Sequence, residues 1–266
     1  MSAVDVPPCF SYGLHLLARQ YTAYAVCTKS ASAAHPKSPI LTFSRHYDKI
    51  ACRQIIKDTS GEQNMMTITY EGRNSIYINL TNRCPCACVF CLRQNKDHVF
   101  NADSLWLDRE PTVEEMCDSI DAWDWTKYDE IVFCGYGEPT ERLDDILQVA
   151  AHIKAKSGIK TRINTNGLSD LIHGEKTAHK LKGLIDSVSI SLNATNKEDY
   201  FKLVRPKFGI ESYDAMLSFA KDCTEYVPEV VMTVVDVVTS KEEQELSRKI
   251  CESIGVMLRV RPYEED

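Results

Sequence analysis

No stretch of this 266-residue chain approaches the ~20 consecutive apolar residues that a membrane-spanning helix needs, so no such span is expected. The first residues lack a basic segment leading into an apolar one. Asp5, Pro7 and Pro8 interrupt them, so no secretory leader is expected. Positive charge is also short. Net charge is −7, and the 57 N-terminal residues hold seven Lys and Arg against two Asp, which leaves −12 on the rest. An acidic body offers no footprint for a phosphate backbone, so direct nucleic-acid binding is not expected. The seven histidines form no pair at ligand spacing, and there is no second CxxC, so a second metal site is not indicated. No tandem repeat appears beyond an alternation of strand and helix patterns.

What is present is ordinary for a globular chain: 44% hydrophobic and 26% charged residues. The length suits one large domain or two small ones, with core enough to need no disulfides. Eleven cysteines without a secretory leader point to a reducing, cytoplasmic setting. Seven of them, Cys9, Cys27, Cys52, Cys117, Cys134, Cys223 and Cys251, are scattered and read as small buried apolar residues.

Residues 1–64 are rich in Ser, Ala, His and aromatic residues, poor in acids, and without a sustained period. They are expected to form an irregular or disordered extension. An organelle transit sequence is the alternative. The ordered domain is expected over residues 65–266. Apolar patterning there predicts strands over 67–70, 75–81, 128–134, 159–165, 186–192, 230–238 and 256–262. Helices are predicted over 113–124, 143–156, 175–184, 211–226 and 240–254, with a short one after Thr195. Capping-box pairs mark three helix starts: Thr112 with Glu115, Thr195 with Glu198, and Ser240 with Glu243. Such alternation implies a parallel sheet with right-handed crossovers. Six units fall short of the eight in a full barrel. The expected fold is therefore α/β, a partial (β/α)6 TIM-like barrel with parallel strands.

Four cysteines, Cys84, Cys86, Cys88 and Cys91, sit within eight positions on a loop that leaves the predicted strand over 75–81. In parallel α/β folds the C-terminal strand ends are where active sites are built. Cys84, Cys88 and Cys91 have the spacing C-x3-C-x2-C, with Phe90 directly before the last. Three thiolates on a [4Fe–4S] cluster would leave one iron open to a further ligand. A zinc site and unliganded core cysteines are the alternatives.

This motif, following a first strand, resembles the radical S-adenosylmethionine (SAM) superfamily. The resemblance implies a [4Fe–4S] cluster on Cys84, Cys88 and Cys91, with SAM on the open iron. One electron then releases a 5′-deoxyadenosyl radical that takes hydrogen from a substrate. It also implies cofactor-binding candidates: Phe90 beside the adenine; Tyr136, Gly137 and Glu138 toward the methionine amino group; Asn166 near the cofactor; Ser191 and Asn193 toward carboxylate or ribose; and Arg205 toward the carboxylate. The chain departs from the family's Gly-Gly-Glu pattern at Tyr136. Segments 79–85, 191–193, 203–206, 233–236 and 259–263 resemble the TatD-linked members of the superfamily. They imply association with a TatD-type metal-dependent hydrolase. A flavodoxin or ferredoxin would supply the electron.

Arg259, Arg261 and Tyr263 alternate on the last predicted strand and would suit an anionic substrate or the cofactor carboxylate. His98 lies near the cysteine loop. Asp144 and Asp145 read as favouring a helix dipole, and Trp106, Trp123 and Trp125 as packing residues. Within the enzyme class a glycyl-radical activase stays open. Outside it, the alternative is a non-catalytic metal protein, either an iron–sulfur electron carrier or a zinc module.

Overall fold

The structure is a computed structural model, and it describes residues 66–94, 100, 102, 104–236 and 239–262. All of these lie in one compact unit of the chain. The extension expected over 1–64 lies outside the described residues, as do His98, Tyr263 and the last two residues of the strand expected over 230–238.

The described chain is built on a seven-stranded sheet in sequential order: β1 (Thr69–Gly72), β2 (Ser75–Ile78), β3 (Glu130–Phe133), β4 (Lys160–Thr165), β5 (Ser187–Ser191), β6 (Glu229–Val235) and β7 (Met257–Arg261). β1 and β2 form an antiparallel hairpin. Its turn residues Arg73 and Asn74 take φ of 44° and 61°, the mirror-image turn whose twist matches that of paired strands. From β2 to β7 every pairing is parallel. The helices are α1 (Val113–Asp121), α2 (Leu143–Lys156), α3 (Ser169–His173), α4 (Lys197–Val204), α5 (Ser212–Cys223) and α6 (Lys241–Ser253). The result is the expected partial α/β barrel. Among the described residues no helix follows β7, so five crossovers join the six parallel strands.

Strand alternation sorts the side chains onto two faces. The row Ile78, Phe133, Ile163, Val188 and Val230 runs across five paired strands and packs on the helices in the main core. Met116, Ile120, Ile146, Val149, Ile153, Met216 and Phe219 supply the helical side of that core. The next row inward, Tyr77, Val132, Arg162, Ser187 and Glu229, is largely polar.

Two helix starts follow the sequence patterns. Thr112 and Ser240 each accept from the backbone N–H three residues on, and Glu115 and Glu243 reach back to complete both capping boxes. The third start is shifted. Asn196, not Thr195, caps α4, its side chain accepting from the Asp199 N–H at 2.9 Å. Asn is as good a cap as Thr, and here it is the residue in the extended conformation that a cap needs.

The helix expected over 175–184 is a single 3₁₀ turn, Ala178–Leu181, and the short α3, which was not expected, precedes it. Gly174 ends α3 at φ 69°, a left-handed conformation that glycine takes without a Cβ penalty. Asp170 then accepts from both the N–H and the hydroxyl of Thr177, at 2.9 and 2.8 Å. Those bonds tie the connection into a turn that competes with a continuous helix.

Candidate active site

The cysteine loop leaves the C-terminal end of β2, and its backbone is satisfied from outside rather than by a ladder of its own. Arg93 donates to the carbonyls of Asn82 and Cys86, at 3.3 and 3.2 Å. Thr81 donates to Glu110 at 2.6 Å and accepts from the Arg83 N–H at 2.9 Å. On the other side the loop pairs with the end of α4 and the residues after it. Ala87 N–H donates to the Val204 carbonyl at 3.1 Å, Val89 N–H to Leu203 at 2.9 Å, and Lys207 N–H to Pro85 at 2.8 Å.

All four loop cysteines are free thiols, with Cys86 buried and Cys84, Cys88 and Cys91 half-buried. Hydrogen bonding with Cys86 holds the Cys84 and Cys88 thiols below the ordinary range. The same bonds, with burial, push Cys86 far up. Burial raises Cys91. Asn166 Nδ2 lies 3.6 Å from the Cys86 sulfur and donates to it. Among the described residues no three His, Cys, Asp or Glu side chains close to the spacing of a single ion.

A cavity of about 320 Å³ opens at the C-terminal strand ends. It brings together most of the candidate residues: Cys84, Cys88, Cys91, Phe90, Tyr136, Asn166, Ser191 and Asn193 all line it. Asn193 holds φ 62°, turning the chain immediately after β5. Arg261 lines the cavity from the end of β7. Arg259, one step earlier on the same face, sits 3.8 Å from Glu229 instead. Among the described lining residues, Arg93 and Arg261 are the charged side chains, and none is a carboxylate.

Three candidates stand outside the lining. Gly137 packs against the cysteine loop itself: a Cβ there would lie 2.2 Å from the Thr81 carbonyl oxygen and 2.6 Å from that of Arg83. Its missing side chain makes room for backbone rather than for a ligand. Glu138 is 3% exposed. Its carboxylate accepts from the Thr140 N–H and hydroxyl at 3.1 and 2.7 Å, the Thr165 hydroxyl at 2.6 Å and the Asn166 N–H at 2.7 Å. Its own N–H donates to the Arg83 carbonyl at 2.8 Å. Burial nevertheless pushes its carboxyl above the ordinary range, against the lowering effect of those bonds. Glu138 therefore ties the cysteine loop to the end of β4. Arg205 is exposed and holds a left-handed backbone (φ 49°) at the end of α4, from which the chain runs on along the cysteine loop with Pro206 opposite Cys86. What it contributes to the site is backbone: its carbonyl accepts from the Ala87 N–H at 3.3 Å.

Sequence reasoning missed part of the lining. Cys134, expected to be a core residue, lines the cavity beside Asn164, and burial raises its thiol. Tyr70 and Tyr77, stacked with centroids 5.1 Å apart, form an aromatic wall with Phe100. The available signal was the two-residue strand period: Tyr77, Val132, Arg162 and Asn164 share one face. Of the other candidates, Trp106 packs edge-on against Tyr136 at 5.2 Å. Trp123 and Trp125 pack against the main core. Asp144 and Asp145 lie in the first turn of α2, where Asp145 pairs with Arg142 at 2.7 Å.

Comparison with known proteins adds a sequence-level result. The model of the radical SAM superfamily matches residues 78–250. No curated protein matches the chain. Among solved structures, a radical SAM methyltransferase from Sphaerobacter thermophilus is 18% identical with a TM-score of 0.50, the match covering 71% of this chain and 55% of that one. SuiB from Streptococcus suis, bound to S-adenosylmethionine, is 19% identical at TM-score 0.50, covering 72% and 38%. The FeFe-hydrogenase maturase HydG from Carboxydothermus hydrogenoformans is 16% identical at TM-score 0.52, covering 72% and 44%. At these identities the likeness is one of fold, and the match spans between 38% and 55% of these proteins' lengths.

Proposed function

The chain belongs to the radical SAM superfamily of enzymes, and from that membership we propose that it binds a [4Fe–4S] cluster through Cys84, Cys88 and Cys91 and acts on SAM. The family implies both groups. When bound, they supply a one-electron cleavage of SAM to methionine and a 5′-deoxyadenosyl radical, which abstracts hydrogen from a substrate.

The donor set fits. Three free thiols line one side of one cavity, and two of them are held toward the thiolate form that a metal requires. Cys86 lies buried between them, hydrogen-bonded to Cys84 and Cys88, and needs no iron to be satisfied.

The observation that carries the reading is convergence. The ends of three different strands, β3, β4 and β5, bring Tyr136, Asn166, Ser191 and Asn193 to the cavity that the three cysteines line. An electron carrier or a zinc module would have no use for that polar recess. In this reading Phe90 and Tyr136 offer apolar surface to an adenine. Ser191 and Asn193 offer hydrogen bonds to polar groups of SAM. Asn166 steadies the loop through Cys86, and Glu138 and Gly137 act behind the lining by fixing the cysteine loop. Arg261, facing a cavity whose described lining holds no carboxylate, favours an anionic substrate.

Anaerobic reconstitution with iron and sulfide, followed by reduction with dithionite, is expected to give a brown protein that makes 5′-deoxyadenosine from SAM. A colourless zinc protein that leaves SAM intact would overturn the reading. We further propose the TatD-linked branch of the superfamily, on the segments 79–85 and 203–206. Co-purification with a TatD-type hydrolase tests it.

A further inference from the structure

The helix α4 presents one buried face, on which Tyr200 and Val204 stand four residues apart. Val204 lines the cavity, and its carbonyl accepts from the Ala87 N–H of the cysteine loop at 3.1 Å. Tyr200 sits one turn earlier. It is fully buried in the same core cluster as Cys86, and Cys84 and Cys88 pack against that cluster. Tyr213 of α5 meets its ring edge-on, with centroids 5.5 Å apart.

The Tyr200 hydroxyl has no hydrogen-bond partner among the described residues. A buried hydroxyl left unpaired costs free energy, and buried tyrosines ordinarily find a partner. The groups whose charge it feels are already engaged. Glu138 takes four donors from Thr140, Thr165 and Asn166, and Cys86 is bonded to Cys84 and Cys88. Burial pushes the Tyr200 hydroxyl far up, and the charges of Cys86, Cys88, Glu138 and Cys84 add to it. It therefore keeps its proton and lacks an acceptor.

We propose that the Tyr200 hydroxyl donates to a sulfur of the iron–sulfur centre held by Cys84, Cys88 and Cys91, and so sets how readily that centre accepts an electron. The inference rests on the reading of these cysteines as cluster ligands. A cluster brings sulfides and charged thiolates, acceptors that the protein alone does not offer this hydroxyl. Hydrogen bonds to cluster sulfurs favour the more negative, reduced state and so raise the reduction potential.

The test is the reduction midpoint of the reconstituted full chain, followed by the electron paramagnetic resonance signal of the reduced cluster. Tyr200→Phe keeps the ring and removes the donor. It is expected to make reduction about tenfold less favourable, the size of one hydrogen bond to a charged acceptor, which is a drop of about 59 mV for one electron. The metal-free Tyr200→Phe protein should melt at or above wild type, because it loses an unpaired hydroxyl. Tyr213→Phe makes the same change on the neighbouring ring and should leave the midpoint unchanged. An unchanged midpoint in Tyr200→Phe would overturn the proposal, as would equal drops in both variants, which would assign the effect to packing. A metal-free Tyr200→Phe protein that melts well below wild type would also overturn it, since the hydroxyl would then have a partner without the cluster. If wild type takes up no iron–sulfur centre, the reading of the cavity fails and this inference falls with it; a cluster whose potential does not move in Tyr200→Phe sinks the inference alone.

Discussion

The two faces of the one sheet differ in kind. On the helix side, Ile78, Phe133, Ile163 and Val188 are fully buried and contribute by area and close packing. On the barrel side, Arg162 is held bidentately by Glu130 at 2.7 and 3.0 Å and donates to Asn164 at 2.8 Å. Above that network the strand ends open into the cavity. Many parallel strands are apolar on both sides. Here one side holds the protein together and the other is left free for chemistry. The comparison predicts that substitutions on the two faces separate stability from activity.

The largest effect is expected at the rim. Cys84→Ala, Cys88→Ala or Cys91→Ala should each abolish 5′-deoxyadenosine formation while the metal-free proteins melt near wild type. Cys86→Ala should retain the cluster absorbance. Equal loss at Cys86 would mean that the ligand assignment is wrong. Next, Phe133→Ala on the helix side should cost about 3–5 kcal/mol in urea unfolding. A loss well under about 1 kcal/mol would show that the helix side is not the stabilising one.

Gly137→Ala joins the two faces. It pushes a methyl into the Thr81 and Arg83 carbonyls, so it should cost about 1–3 kcal/mol and lower iron content together. A stable variant with normal iron would show that the loop does not depend on that contact.

The smallest effect is a pH drift. Glu138 has a folded-state pKa above its unfolded one. Its contribution is therefore complete below the ordinary carboxylate range and is lost as pH rises through the raised value. The stability of wild type relative to Glu138→Gln should fall as pH rises from about 4.3. A difference flat from about pH 4 to about pH 8 would contradict it.

Much of this was legible in the chain. The strand and helix periods located all seven strands and placed α2 at its observed ends, because alternation and amphipathicity reflect backbone geometry within a few residues. The capping boxes at Thr112 and Ser240 were readable for the same reason. The reduction of the expected helix over 175–184 to one 3₁₀ turn was not, because the Asp170–Thr177 bonds that compete with a helix join residues seven apart. Cys134 packs against the Tyr70, Tyr77 and Val132 cluster as a scattered cysteine was expected to, but its place in the cavity lining was not legible, because composition alone does not say which face a lone cysteine takes.

By itself, the sequence determined the loop of thiols, the strand order that follows it and the polar residues at each strand end. These are facts of spacing along one chain. Only the tertiary structure decided which of those residues meet. It brought Asn166 to Cys86, set Ser191 and Arg261 into one cavity, and turned Arg205 outward. It also gave Glu138 four donors drawn from two segments. The physical reason is that a buried carboxylate must satisfy its lone pairs with whatever the register presents. That register is a property of six strands paired together and of no segment alone.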